Sequence, residues 1–146
     1  MALRVKNLDT GAIVADRVGV AATHAARTVG LLNRDGLEPG EGLWIVPCRG
    51  VHTFWMRFTI DVVALDDHGV VIDRVPNLKP WRVRLPRRGT AGVLELPAGT
   101  LERSGTQLGH RIEFEAAAAT RATGAQTRLA PIGLPAPVTQ DIEELR

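Results

Sequence analysis

The sequence contains a single cysteine, Cys48, and no long apolar run. One cysteine excludes an intramolecular disulfide and is typical of proteins from reducing compartments. No apolar segment approaches the roughly 20 residues that cross a bilayer, and residues Met1 to Asn7 lack the apolar core of a secretory signal. The sequence therefore predicts a cytoplasmic protein without a membrane partner.

The sequence also has little excess charge of either sign. The 18 basic and 16 acidic side chains leave a formal net charge of only +2. A nucleic-acid-binding domain normally carries a pronounced basic stripe. We therefore expect no nucleic-acid partner.

Motifs that bind cofactors or metals are missing as well. The sequence has no glycine-rich phosphate-binding loop and no G-x-S-x-G nucleophile motif. Zinc sites need three or four protein ligands, whereas the histidines lie far apart and no C-x-x-C, H-x-H or H-E-x-x-H spacing occurs. We predict no cofactor and no metal.

A length of 146 residues with 45% hydrophobic residues predicts one domain with a proper core. Short apolar segments separated by Gly and Pro turns outnumber helical ones, and most are joined as hairpins. This pattern favours a mainly β fold, an antiparallel β-sandwich or jelly-roll-like barrel with one or two short helices. We expect this single domain to span residues 1–115, followed by an Ala- and Pro-rich tail over 116–146.

The individual elements follow from alternation, capping and turn residues. Asp66 to Gly69 is typical of a hairpin turn, and residues 76–90 are mostly loop because of their prolines. Helical turns are predicted near His24–Leu32 and Thr100–Arg103. The predicted strands are Leu3–Leu8, Ala12–Ala15, Leu43–Val46, Val51–Leu65, Val70–Val75, Ala91–Leu96 and Arg111–Phe114.

Scarce side chains concentrate between Cys48 and Asp61, which suggests either the centre of a core or the lining of a site. If residues 51–61 form one regular strand, successive side chains point to opposite faces. The apolar face would then point to the core, and the mixed face would line a groove. The first face comprises His52, Phe54, Met56, Phe58 and Ile60, and the second Thr53, Trp55, Arg57, Thr59 and Asp61.

Cys48 and His52 raise the question of a nucleophilic site, because an imidazole can accept the proton of a thiol. On a regular strand the two residues lie about 13 Å apart, whereas proton transfer needs about 3 Å. Only a bend at Gly50 brings them together, and Asp61 has the wrong parity to face His52. The alternatives are a buried apolar role for Cys48 and a structural or pocket role for His52.

Two carboxylates interrupt strongly apolar runs, where an unpaired charge is costly to bury. Asp61 is either an acceptor for backbone N–H groups or Arg57, or a ligand-binding or acid–base group at a cleft. Glu95 alternates with Leu94 and Leu96. It is either a solvated outward residue, an ion-pair partner or a site residue.

The segment Lys79–Arg88 carries five cations and Trp81. These residues suit a phosphate or an acidic partner, with Trp81 as a stacking platform. The alternative is an exposed loop whose cations keep a sheet edge soluble.

Five phrases stand out, at residues 28–34, 42–45, 48 with 51–58, 60–63 and 93–99. In their order and spacing they resemble the domain of unknown function 192 family. The resemblance implies a compact β-sandwich with jelly-roll character, and no catalytic roles, because the family has no agreed activity. Its recurring positions correspond to His52, Met56, Asp61, Glu95 and Gly99. Many members have an acidic residue where this chain has His110.

Three functional hypotheses follow. The first is a non-enzymatic ligand-binding or accessory module that binds a small polar molecule, a glycan or a protein segment in a groove near the His52–Asp61 strand. The second is a thiol- or histidine-dependent hydrolase or transferase that uses Cys48, His52 and Asp61. The third is a structural partner protein that docks through its tail. The candidate ligand-binding residues are Thr53, Trp55, Arg57, Asp61, Trp81 and Glu95.

Overall fold

The computed structural model describes residues 2–23, 31–32, 34–48, 51–85 and 87–117. These residues form strands joined by short turns, with one short helix among them. In chain order the elements are β1 (Leu3–Asn7), β2 (Ile13–Ala21), β3 (Glu41–Ile45), β4 (Val51–His52), β5 (Ile60–Leu65), β6 (Val71–Leu78), β7 (Val83–Arg84), β8 (Gly92–Pro97), α1 (Thr100–Ser104) and β9 (Ile112–Ala116).

Seven strands form one curled sheet in the order β6-β5-β8-β3-β2-β1-β9. Its neighbours are antiparallel except for β2 and β3, which are parallel. The two outer strands meet at one end, where Val71 N–H donates to the His110 carbonyl at 2.9 Å and Gly109 N–H to the Val71 carbonyl at 2.8 Å. The sheet is therefore a half-barrel, and the prediction of a mainly β fold is confirmed.

Apolar side chains are buried on both faces of this sheet. The inner face packs around Trp44, whose ring centroid lies 4.8 Å from that of Phe114. The outer face carries Ile60, Val62 and Val93 and is covered by other parts of the chain, Met56 among them. All six residues of β5 are buried, which explains why this strand is a nearly continuous apolar run.

Most of the predicted elements are present. The hairpin turn at Asp66–Gly69 connects β5 and β6, and the predicted turn at Thr100–Arg103 is α1. The predicted second strand is longer than expected and reaches Ala21. Most of the predicted helix near His24–Leu32 and almost all of the tail lie outside the described residues. No helix of the described part of the chain is long and apolar enough to cross a bilayer.

The prediction of one strand from Val51 to Leu65 is wrong. The chain pairs as a strand only over Val51–His52 and again from Ile60 onwards. Between them it turns, with Met56 N–H donating to the Thr53 carbonyl at 3.2 Å. The predicted alternation of faces is lost because this turn interrupts the pleat. Thr53, expected on the mixed face, is fully buried.

Residues 76–85, predicted to be mostly loop, contain the end of one strand and the whole of another. The strand β6 continues through Pro76 to Leu78, which is compatible with its position at the edge of the sheet. Val83 and Arg84 form β7, which pairs antiparallel with β4 in a separate two-stranded ribbon. The segment around His52, rich in scarce side chains, and the cationic segment around Val83 are therefore neighbours in the fold.

Candidate functional site

Thr53 joins the turn after β4 to the segment before β7. Its Oγ1 donates to the Lys79 carbonyl at 2.6 Å and accepts the Arg82 N–H at 2.9 Å. Its backbone N–H donates to the Arg82 carbonyl at 2.8 Å, and its carbonyl accepts the Trp81 N–H at 2.9 Å. Thr53 is wholly buried, so these bonds are protected from water and fix both segments relative to each other.

This clamp presents two tryptophans to solvent. Trp55 is 71% exposed and Trp81 is 51% exposed, and their ring centroids lie 4.8 Å apart with the planes at 60°. Both residues have positive φ, 67° for Trp55 and 63° for Trp81. Bulky side chains rarely adopt this region, and such conformations cluster at functional sites, where the surrounding structure holds them.

Two further rings extend this surface. The Phe54 ring lies 6.0 Å from that of Trp81 and 5.4 Å from that of His52. We call His52, Phe54, Trp55 and Trp81 the aromatic platform. A connected exposed patch of this kind is typical of an interaction site.

The surface continues along β7. Val83 and Leu85 are 54% and 77% exposed. With Arg84 and Arg87 they line an open depression of about 410 Å³. The residues that line this depression lie in and beside β7, which follows Trp81 of the platform along the chain.

An ion pair holds the ribbon against the main sheet. The Arg84 guanidinium donates from Nε and Nη2 to the two carboxylate oxygens of Asp73 at 2.8 and 2.7 Å. This bidentate bond holds the pKa of the buried Asp73 below its usual range and raises the pKa of Arg84. Arg84 therefore has a structural task, which the sequence did not indicate.

Arg57, a predicted ligand-binding residue, lies on the surface in the turn that follows β4. Its guanidinium donates to Asp35 at 2.6 Å, and the two side chains are 64% and 88% exposed. An exposed pair of this kind contributes little to stability and leaves Arg57 accessible to a ligand.

Asp61 is buried and its carboxylate is occupied by backbone donors. Oδ1 accepts the Asn77 N–H at 2.9 Å, and Oδ2 accepts the Leu101 N–H at 2.9 Å. Asn77 has a φ of 53°, and Gly99 gives α1 no side-chain cap. The geometry of Asp61 is thus that of a structural acceptor that fixes a left-handed residue and the start of α1.

The structure does not bring Cys48, His52 and Asp61 together. Cys48 is half-buried against the outer-face cluster, whereas His52 is exposed and stacks on Phe54. Asp61 alternates with Ile60 and Val62 and therefore points to the inner face. Within the described residues, no three His, Cys, Asp or Glu side chains are placed to bind a metal ion.

Glu95 lies on β8, opposite Leu43 on one side and Val62 on the other, and faces the outer apolar cluster. It is 4% exposed, so the expectation of a solvated outward residue is wrong: the face that carries Glu95 is covered. Its carboxylate makes no hydrogen bond or ion pair with any residue that the structure describes. Burial raises its pKa to about 7.

Sequence reasoning named Trp55, Trp81, Arg57 and Thr53 as ligand-binding candidates but missed how they are joined. The expected alternation placed Phe54 on the core-facing side and left His52 with either a structural or a pocket role, whereas both belong to the exposed platform. The signals for this surface in the sequence are the density of scarce rings in residues 52–55 and the basic segment around Trp81.

A family model, DUF192, described as "Uncharacterized ACR", matches residues 5–114. The chain belongs to the DUF192 family. The prediction from the sequence is therefore confirmed, and the match includes the aromatic platform, Asp61 and Glu95.

Curated relatives of this DUF192 chain are named UPF0127 proteins. The protein of Thermococcus sibiricus is 29% identical over 117 residues, 75% of this chain and 73% of that protein. The protein of Pyrococcus abyssi is 31% identical over 104 residues, 67% of this chain and 86% of its own length. The protein of Pyrococcus horikoshii is 36% identical over 103 residues, 66% of this chain and 86% of its own length.

Two solved structures share the fold. One, from Sinorhizobium meliloti and named as a candidate transcription regulator, has a TM-score of 0.68 and 24% identity over 77% of this chain and 91% of that one. The other, a protein of unknown function from Novosphingobium aromaticivorans, has a TM-score of 0.67 and 22% identity over 77% of this chain and 84% of that one. At these identities the likeness extends to the fold alone.

Proposed function

We propose that this protein is a non-enzymatic binding module whose aromatic platform binds a glycan. The observation that carries the proposal is the pair Trp55 and Trp81, both exposed and both at positive φ. A left-handed conformation costs roughly 1–2 kcal/mol for a residue with a side chain. Exposed rings bury little apolar surface, so folding alone offsets little of this conformational cost. Ligand binding gives the two left-handed residues a function that explains their conformation.

The shape of the platform supports a glycan. Trp81 makes angles of 60° with Trp55 and 51° with Phe54, so the rings form a faceted surface. The face of an aromatic ring is electronegative and attracts the partially positive C–H groups on one side of a pyranose. Arg and Lys side chains beside the rings donate hydrogen bonds to hydroxyl groups.

The openness of the surface supports a chain-like ligand over a small metabolite. Small-molecule sites are concave and enclose most of their ligand, whereas the tryptophans of the platform are more than half exposed. Several exposed apolar side chains, those of the platform together with Val83 and Leu85, suit an oligosaccharide that makes several contacts. A protein segment would use the same surface and is an outcome that the test must separate.

The test is calorimetric titration of the full chain with a panel of neutral and acidic oligosaccharides. Trp55→Gly and Trp81→Gly remove each ring and leave a residue that accepts positive φ. We expect each to weaken glycan binding by about tenfold or more, which corresponds to about 1.4 kcal/mol.

The matched control is Leu108→Ala, which removes a 61% exposed apolar side chain in a turn outside the platform. It should leave affinity unchanged. The proposal is wrong if no oligosaccharide binds the wild-type chain, or if both tryptophan variants bind as tightly as the control.

A further inference from the structure

We infer that the glycan is acidic and that cations at the edge of the aromatic platform bind its carboxylate or sulfate groups. This inference rests on the proposed function. It starts from the distribution of charge along the chain. Residues 49–60 and 74–94 together carry eight basic side chains and no acidic one. The rest of the chain carries ten basic and sixteen acidic side chains, a net charge of −6.

The fold places the described parts of these two segments, residues 51–60 and residues 74–85, side by side. Val51 and His52 pair with Arg84 and Val83 in the ribbon, and Thr53 bonds to the backbone of Lys79 and Arg82. The small overall charge of +2 therefore conceals a strongly uneven distribution. A surface of one sign attracts ligands of the opposite sign and excludes those of its own.

Some of these cations already have structural partners. Arg84 is bound to Asp73, Arg57 to Asp35, and Arg74 donates to the Thr106 carbonyl at 2.7 Å. The bonds of Arg84 and Arg74 hold these two arginines in place, whereas the exposed pair with Asp35 leaves Arg57 accessible.

Other cations remain accessible at the edge of the aromatic platform. Lys79, Arg82 and Arg88 are exposed and have no ion pair with any residue in the described part of the chain. Arg87 approaches Asp73 only at 3.7 Å and is 61% exposed. Lys79 and Arg82 precede and follow Trp81 along the chain, and Thr53 bonds to the backbone of both. The rings can therefore hold the C–H face of a sugar while these cations bind its acidic substituents.

The same features favour an acidic glycan over a single-stranded nucleic acid. Nucleic-acid platforms stack successive planar bases on aromatic rings inside a basic groove. Here the tryptophan planes stand at 60° to each other, which suits a bulky saturated ring at their junction. The few accessible cations provide anchoring points for separate acidic groups and do not form a continuous basic track.

The experiment titrates the full chain with three classes of probe of equal length. These are a galacturonate hexamer and a heparin-derived hexasaccharide as acidic glycans, cellohexaose as a neutral glycan, and a thymidine hexanucleotide as the competing polyanion. We expect an acidic glycan to bind about tenfold or more tighter than cellohexaose at about 50 mM salt, and this preference to shrink at about 500 mM.

Two variants test whether the cations beside Trp81 cause the preference for acidic glycans. The double variant Lys79→Gln, Arg82→Gln should lose the preference for acidic glycans and keep the affinity for cellohexaose. Arg17→Gln is the matched control, since its side chain is 57% exposed and lies on β2, away from the ribbon. It should bind like the wild type.

The outcomes separate the two proposals. Equal affinity for cellohexaose and both acidic hexamers overturns this inference and leaves the proposed glycan function intact. Binding of the hexanucleotide alone overturns both. A preference for acidic glycans that survives the double variant overturns the assignment to Lys79 and Arg82.

Discussion

Asp61 and Glu95 lie on neighbouring strands of the same sheet but face its opposite sides. Asp61 points inward and accepts two backbone N–H groups, each at 2.9 Å. Glu95 points into the outer apolar cluster and makes no polar contact with any other described residue. Two buried carboxylates in one sheet therefore have opposite energetic roles, and each role leads to its own prediction.

Asp61→Asn should destabilise the fold. An asparagine side chain has one acceptor oxygen, so its amide group faces one of the two N–H donors and leaves it unsatisfied. We expect the free energy of unfolding to fall by about 1–3 kcal/mol, measured by urea denaturation. Asp35→Asn is the control, because that carboxylate is 88% exposed and should change stability by less than about 1 kcal/mol. Equal stability of the two variants would contradict the structural role of Asp61.

Glu95→Gln should stabilise the protein at alkaline pH. The pKa of Glu95 rises from 4.5 to about 7 on burial, so between these values the folded state binds more protons than the unfolded state. The free energy of unfolding then falls as pH rises through this window, because the folded state resists ionisation. The full cost of burying the ionised Glu95 carboxylate, about 3 kcal/mol, is present above pH 7 and absent below pH 4.5.

The measurement for Glu95 is the difference in unfolding free energy between Glu95→Gln and the wild type at several pH values. Other titrating groups are common to both proteins and cancel in the difference. We expect the difference to grow in favour of the variant as pH rises from about 4.5 to about 8. A difference that stays constant across this range would show that Glu95 has an ordinary environment.

Thr53→Val should destabilise both the fold and the aromatic platform. Valine has nearly the same shape but leaves the Lys79 carbonyl and the Arg82 N–H without the hydroxyl that satisfies them. The expected loss is about 1–3 kcal/mol in urea denaturation, with weaker glycan binding. Thr53→Ser keeps the hydroxyl and should recover most of both. A serine variant as defective as the valine variant would show that the hydroxyl bonds alone do not hold the two segments together.

The sequence indicates the fold better than it indicates the site. The hairpin at Asp66–Gly69 carries its own turn residues, and the apolar runs of β5 and β8 are unmistakable, so these elements are predictable from local pattern. The turn after His52 is different. Residues 53–59 contain no Gly, Pro, Asn or Asp, so no local residue predicts a turn there. Hydrogen bonds to the segment 79–82 fix this turn instead.

Glu95 illustrates a second limit. Alternation correctly separates it from Leu94 and Leu96, which face the inner core. Whether its own face is solvated or covered depends on where Met56 and the other covering residues pack. That is a tertiary relationship, and alternation along one strand contains no information about it.

The exposed tryptophan Trp55 should contribute little to stability. In Trp55→Gly the left-handed backbone becomes easier to adopt, which offsets the loss of its contact with Trp81. We expect a change of less than about 1 kcal/mol in the free energy of unfolding. Trp44→Ala is the contrast, because Trp44 is 1% exposed and its removal from the core should cost about 3–5 kcal/mol. Comparable losses in the two variants would make Trp55 a structural residue.

The most direct test of the aromatic platform is the response of the indole N–H resonances to a glycan. The chain has three tryptophans, so a two-dimensional nitrogen–proton spectrum of the full chain resolves each indole as a separate probe. On titration with the galacturonate hexamer or the best-binding oligosaccharide, we predict that the Trp55 and Trp81 indole signals shift in a saturable manner while that of the buried Trp44 does not. Saturable binding that leaves the Trp55 and Trp81 signals in place would contradict the proposal that this surface is the binding site.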